Sequence, residues 1–304
     1  MARRGGNYHR RSFVKNELMS TFINELWDLD EEARCRHGEH YVINLQGHAD
    51  SRGGTDKARA KLFKWVDDEK LFERPTYEKF SRLLDNYIAM GGEKEVVTRA
   101  EVKENRDFIQ ECMRTPVMQR TWEFLKKNAD NIPDDEMAFM KLLEKTWFQL
   151  YRRTKGDRDQ DSSGFEHVFV GEIKKLDHGG LEVTGFHNWI QLYLSEKAGN
   201  LDYKGYFKWG TDKNQEEPRM LTLRFGWEGE DDEDPDDDVE AIKKMGSSFL
   251  GTSPEFEFAI YSACYFMGLE NIGVVLADKW KVELQVHRMG PYLASCFPKA
   301  AGYV

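Results

Sequence analysis

Two histidines, His167 and His187, lie twenty residues apart in SSGFEHVFVGEIKKLDHGGLEVTGFHNWIQLYLSEK, residues 162–197. Each has a polar or acidic neighbour, Glu166 and Asn188. Two imidazoles on adjacent elements can take one proton and give another near neutral pH, where their ordinary pKa lies. Lys243 follows 76 residues after His167. A lysine is a compact cation that can steady negative charge developing in a transition state.

On the residues alone each also has a bland reading. If Phe165–Lys174 is a regular strand, Glu166 and Glu172 share one face and His167 lies on the other, beside Phe165 and Phe169. A histidine on an apolar face reads as a core residue. His187 follows Gly185 and Phe186 at the start of a helical pattern. There the positive end of the helix dipole lowers its pKa and keeps the ring neutral, as a general base requires. It reads equally well as a helix-capping histidine. Lys243 and Lys244 read equally as a solvated face, and His48 and His178, both in Gly-rich turns, as solvated residues. Glu166, His167, Glu172 and His187 would also suit a metallohydrolase, although alternation along a strand separates Glu166 from His167. One substrate suits a proton pair and a cation without needing a metal. RNA carries its own nucleophile, the 2′-hydroxyl, so a base, an acid and a charge beside the phosphorus suffice.

These residues need elements to hold them. Apolar spacing near 3.6 predicts a helix from an N-cap at Ser12 to about Asp30. It predicts others over Pro75–Met90 (ended by Gly91 and Gly92), Arg99–Met113, Pro116–Asn128 and Asp134–Tyr151. Residues 61–66 are read with these helical segments. The aromatic stripes of this half read as core. The polar segment Thr154–Gly164 marks a boundary. Beyond it, Phe165–Lys174, Leu181–Val183, Tyr203–Trp209, Met220–Trp227, a segment near Val274, Val282–Val286 and Tyr292–Phe297 read as strands. His187–Lys197 and Pro254–Met267, capped by Ser253, read as helices. Without a regular βαβ rhythm the class is α+β. The organisation is a flexible basic tail (1–11), an α-helical lobe (12–155) and an α+β lobe of strands with a few helices (156–304).

The 304 residues carry a formal charge of −10. The first 155 residues hold 29 basic and 27 acidic side chains, whereas the remainder hold 15 and 27. Eight of the latter acids fall in one run, Glu230–Asp238. The global charge thus reflects one loop and does not exclude an RNA substrate at a small site. Four scattered cysteines suggest neither disulfides nor a zinc site, and no secretory signal or membrane-length apolar run is present, so an intracellular, cytoplasmic protein is expected.

FEHVFVGE, GFHNWIQLYLSEK, the KxxGS of Lys243–Ser247, and GTSPEFEFAIYS together resemble the EndoU family of uridylate-preferring, XendoU-like endoribonucleases. NELWDLD and YVINLQG extend the resemblance over nearly the whole chain. It implies a helical lobe packed on an α+β catalytic lobe of antiparallel sheets, and cleavage of single-stranded RNA at uridines to a 2′,3′-cyclic phosphate. A monomer without a membrane role is expected. The resemblance also implies His167 as general acid, His187 as general base and Lys243 as transition-state stabiliser, with Glu166 and Glu172 in support. Ser247, Ser295 and Phe297 fall at uridine-binding positions. The family commonly has threonine and tyrosine where this chain has Ser295 and Phe297, which makes selectivity less firmly implied than cleavage. A second reading is a non-catalytic or weakly selective RNA-binding protein on the same fold. Mn²⁺, or alternatively Ca²⁺, is the expected cation, and the 230–238 run is a candidate for attracting it.

Overall fold

The computed structural model describes residues 13–50, 54–154, 159–210, 220–228 and 240–304, without the side chains of 208–210. The basic tail, Ser12, residues 155–158 of the boundary segment and the acidic run Glu230–Asp238 lie outside the described residues.

Helix α1 (Glu17–Leu29) starts four residues later than the spacing predicts, because Asn16 is its cap and accepts from the Met19 amide at 3.0 Å. Its apolar face buries Met19, Phe22, Ile23, Leu26 and Trp27. Strands β1 (Tyr41–Ile43) and β2 (Phe63–Val66) form an antiparallel pair where residues 61–66 were expected to be helical. The Glu196 carboxylate accepts from the Leu62 and Phe63 amides and holds that strand in place. After the short α2 (Asp68–Phe72), α3 (Pro75–Ser81) stops well before Met90. Residues 89–91 instead pair with the edge of a sheet: Ile173 donates to the Ala89 carbonyl and Gly91 to the Ile173 carbonyl. Pairing with a distant strand overrides the helical pattern, yet Leu83, Leu84 and Ala89 are still buried.

Helices α4 (Arg99–Met113) and α5 (Pro116–Asn128) match the expected spans, and α6 (Glu136–Phe148) falls within its own. Capping explains the starts: Thr98 and Glu101 form a reciprocal capping box, and Thr115 and Asp135 cap the next two.

The second half contains β3 (Glu172–Lys175), β4 (Leu181–Thr184), α7 (Trp189–Ala198), β5 (Leu201–Gly210), β6 (Met220–Trp227), β7 (Ala241–Phe249), α8 (Pro254–Phe266), β8 (Asn271–Leu276), β9 (Trp280–Met289) and β10 (Tyr292–Tyr303). One sheet has the order β3-β4-β7-β6-β5 and another β10-β9-β8. All pairs are antiparallel except β4 with β7, where Glu182 faces Ile242. The α+β class holds. Helix α8 is buried all round apart from its last residue, with Phe258 against Trp147 and Phe108. Trp27 of α1 packs edge-on against Phe256 and Trp280, and Asn24 hydrogen-bonds the backbone at Val275 and Ala277 of the β8–β9 hairpin. The aromatic stripes of the first half are core: Phe80, Phe108, Trp147 and Phe148 close around Phe165 and Phe169. Among the described residues no helix is long and apolar enough to cross a membrane.

Candidate active site

His167 does not sit on a strand. Residues Glu166–Val170 form a π-helical turn, entirely buried, before β3 begins. The cause is local and was readable: Ser163-Gly-Phe-Glu166 is a capping box. The Ser163 amide donates to Glu166 Oε2 at 3.0 Å, and the Glu166 amide donates to Ser163 Oγ at 3.2 Å. Gly171 ends the turn at φ +104, its N–H donating to the Glu166 carbonyl. A Cβ there would lie 2.5 Å from the Phe186 ring, so only glycine fits. The expected strand alternation therefore fails. Glu166 folds back on Ser163, while Glu172 meets His167, with Glu172 Oε2 accepting from Nδ1 at 2.5 Å.

The turn also fixes the second histidine. The Phe186 amide donates to the His167 carbonyl at 3.0 Å and the His187 amide to the Val168 carbonyl at 2.8 Å. Gly185 (φ +62) makes this approach possible, since a Cβ on it would lie 1.8 Å from the His167 carbonyl oxygen. Asn188, rather than His187, caps α7, accepting from the Ile190 and Gln191 amides. His187 thus precedes the helix. Its Nδ1 lies 2.9 Å from the Ser247 carbonyl. A carbonyl only accepts, so Nδ1 carries the proton and Nε2 keeps the lone pair. By the same reasoning Nδ1 of His167 donates to the Glu172 carboxylate.

Lys243 comes from β7, a strand the sequence reading did not anticipate. Its buried ammonium donates to the Gly185 carbonyl at 2.5 Å, between the two histidines in the chain path. An irregularity in the β6–β7 register lies between Leu223, opposite Gly246, and Phe225, opposite Lys243. The extra residue of β7 puts Lys243 and Gly246 on one face, and a Cβ on Gly246 would crowd the lysine stem at 3.0 Å. Ser247, opposite Thr222, points the other way. Its hydroxyl is 2.8 Å from Thr222 Oγ1, and its carbonyl is what it lends to His187. Phe297 of β10 stacks on the His187 ring at 4.6 Å and 21°. Ser295 shares that face, two residues earlier and nearly buried.

The electrostatics separate the histidines. Burial lowers the pKa of both. For His167 the adjacent Glu172 opposes that fall, whereas for His187 the Lys243 charge deepens it. Burial alone would raise Glu172, but His167 and Arg153 outweigh it and hold the carboxylate below its ordinary value. Burial brings Lys243 down to about 8 against the pull of Glu182 and Glu172. Glu166 is pushed well above the usual range, first by burial and then by Glu172 and Glu95.

The structure thus brings His167, His187, Lys243, Glu172 and Phe297 together and keeps Glu166 behind them as the lock of the turn. Sequence reasoning missed Arg153, whose Nε lies 3.4 Å from Glu172 and donates to Ser162 Oγ at 2.9 Å. It also missed Asp161, whose carboxylate accepts from the Arg153 and Thr154 amides and fixes the segment carrying Arg153. Neither residue has a periodic signal, and both lie in or beside the polar stretch that reads as a boundary. Among the described residues no cluster of three or more His, Cys, Asp or Glu is placed to hold a metal. His167 and Arg153 both hold Glu172 Oε2, which leaves Oε1 without a partner among the described residues, and one carboxylate oxygen does not make the oxygen-rich donor set a resident Mn²⁺ or Ca²⁺ needs.

The family model described as Endoribonuclease XendoU matches residues 18–298. The chain belongs to this family. It is 40% identical to Poly(U)-specific endoribonuclease-A of Xenopus laevis, over 93% of this chain and 94% of that one. It is 40% identical to Uridylate-specific endoribonuclease B of Danio rerio, over 94% and 97%. A solved structure, that of XendoU, a splicing independent snoRNA processing endoribonuclease, matches with a TM-score of 0.75 at 38% identity. That match covers 95% of this chain and 99% of the other. Membership in the XendoU family supports RNA cleavage as the activity of the site described above.

Proposed function

We propose that this endoribonuclease cuts single-stranded RNA at uridines by attack of the 2′-hydroxyl on the adjacent phosphorus, releasing a 2′,3′-cyclic phosphate. His187 Nε2 takes the 2′-hydroxyl proton. The O2′–P bond forms as the P–O5′ bond breaks, and His167 gives its Nε2 proton to the departing 5′-oxygen. Lys243 stabilises the charge on the non-bridging oxygens. Glu172 supports the protonated form of His167, and Arg153 holds Glu172 in place. Ser295 and Phe297 meet the uridine, and Ser247, whose hydroxyl turns to Thr222, acts through the carbonyl that orients His187.

The observation that carries the assignment is the pairing of two equally buried histidines with opposite charges. A carboxylate beside His167 favours imidazolium, as an acid needs, and an ammonium beside His187 disfavours it, as a base needs. Mn²⁺, or alternatively Ca²⁺, belongs to the proposal as a stimulant of rate, with no step routed through it.

A short RNA with one uridine, incubated with Mn²⁺ or with EDTA, tests this reading. A cyclic phosphate end and resistance of the 2′-deoxyuridine analogue are expected. Equal cleavage of the deoxy substrate would overturn the mechanism, and activity indifferent to chelation would remove the cation from it.

A further inference from the structure

The outer face of the three-stranded sheet continues from the active site. In β9 and β10, Leu284, Val286 and Cys296 turn into the core. Their neighbours Gln285, His287, Ser295 and Phe297 therefore share the opposite face. The register agrees: Ser295 is opposite His287, Phe297 opposite Gln285, and Gln285 opposite Asn271 of β8. Phe297 links the two regions. Its ring stacks on His187 and also lies 5.9 Å from the His287 ring, at 34°. Gln285 Nε2 donates to Asn271 Oδ1 at 2.8 Å, which aligns two amides beside these rings. The face is covered further along at Gly273, where an added Cβ would meet the Val14 carbonyl and the Phe13 ring, whereas His287 and Asn271 stay exposed.

Rings for stacking and amides for edge contacts, on an open sheet face, are the groups that hold unpaired bases. We infer that His287, with Gln285 and Asn271, forms a second nucleotide subsite, which stacks the base flanking the scissile phosphate. The inference rests on the RNA-cleaving reading, because the occupant is the RNA chain leaving the site past Phe297.

The test uses the full chain and a hexanucleotide with one ribouridine in a deoxyadenosine background. Two further versions carry an abasic residue on the 5′ or the 3′ side of the uridine. In the unaltered protein, loss of one of these two flanking bases should lower kcat/KM about tenfold, the scale of one base–aromatic stack. His287→Ala should abolish the difference between intact and abasic substrates, and His287→Phe, which keeps a ring, should retain it. Indifference of the unaltered protein to both abasic positions would overturn the subsite. So would a His287→Ala variant as sensitive as the unaltered protein, or a His287→Phe variant as insensitive as the alanine. If the unaltered protein cuts none of the three substrates, the RNA-cleaving reading itself fails.

Discussion

Replacing Glu172 with Gln tests the division of labour between the histidines. The amide has the same shape and its oxygen still accepts from His167 Nδ1, so geometry is nearly preserved while the charge goes. Opposite unit charges about 4 Å apart attract by about 4 kcal/mol at an effective dielectric near 20. The retained hydrogen bond recovers part of that, so about 2–4 kcal/mol of support for imidazolium at His167 is lost. If His167 must be protonated to release the 5′-oxygen, kcat should fall between about thirtyfold and a thousandfold, and the pH optimum should move to lower pH. The assay is kcat against pH on a uridine oligonucleotide, paired with uridine 3′-(4-nitrophenyl phosphate). Nitrophenolate leaves without a proton, so the defect should largely disappear on that ester. An equal loss on both substrates would refute the assignment of Glu172 and His167 to leaving-group protonation.

Lys243→Met should lower kcat about a hundredfold or more, the cost of removing a preorganised charge from a transition state. In the unaltered protein the rate should decline above pH 8 as the lysine, whose pKa is brought down to about 8, loses its charge. The same residue should cost stability. A lysine depressed from 10.5 destabilises the fold fully below about pH 8, and that cost fades as pH rises toward 10.5. Urea unfolding should therefore find Lys243→Met more stable by about 1–3 kcal/mol at pH 7, with the gain vanishing in alkali. Gly185→Ala should unfold at much lower temperature, by about 3 kcal/mol or more, since the added Cβ meets the His167 carbonyl at 1.8 Å and sits at a positive φ. Phe297→Tyr adds a hydroxyl donor beside the stacked ring, and should raise the uridine-over-cytidine ratio of kcat/KM by about threefold to tenfold. An unchanged ratio would place selectivity elsewhere.

Long helices were legible because their signals lie within the element: α4 and α5 through caps and apolar stripes, and α8 through its Ser253 cap and first-turn acids, follow their predicted spans closely. What failed was whatever a distant partner decides. Residues 89–91 leave the helical pattern because β3 offers them an edge, and residues 63–66 become a strand because Tyr41–Ile43 pairs with them. Lys243-Lys-Met-Gly-Ser-Ser248 has no apolar alternation, so it read as surface; its strand exists because β4 and β6 flank it. The turn at His167 is different. Its capping box was present in Ser163 and Glu166, but the β-rich run EHVFV outweighed it in the strand reading.

Both histidines are buried, donate from Nδ1 and keep Nε2 for the reaction, so neither burial nor tautomer distinguishes them. Their roles diverge through what the chain brings beside each. Glu172 follows the turn by one glycine and so reaches His167 locally. Lys243 comes from a strand more than fifty residues beyond His187 and reaches the Gly185 carbonyl because the β7 irregularity turns it inward. The backbone bonds from residues 186 and 187 to the carbonyls of His167 and Val168 then hold the differently partnered rings on one scaffold. Removing Lys243 should therefore do two things at once: take a charge from the phosphorus and let His187 protonate more readily. The acidic limb of the Lys243→Met pH–rate profile should move upward relative to that of the unaltered protein, an effect that loss of transition-state charge alone does not produce.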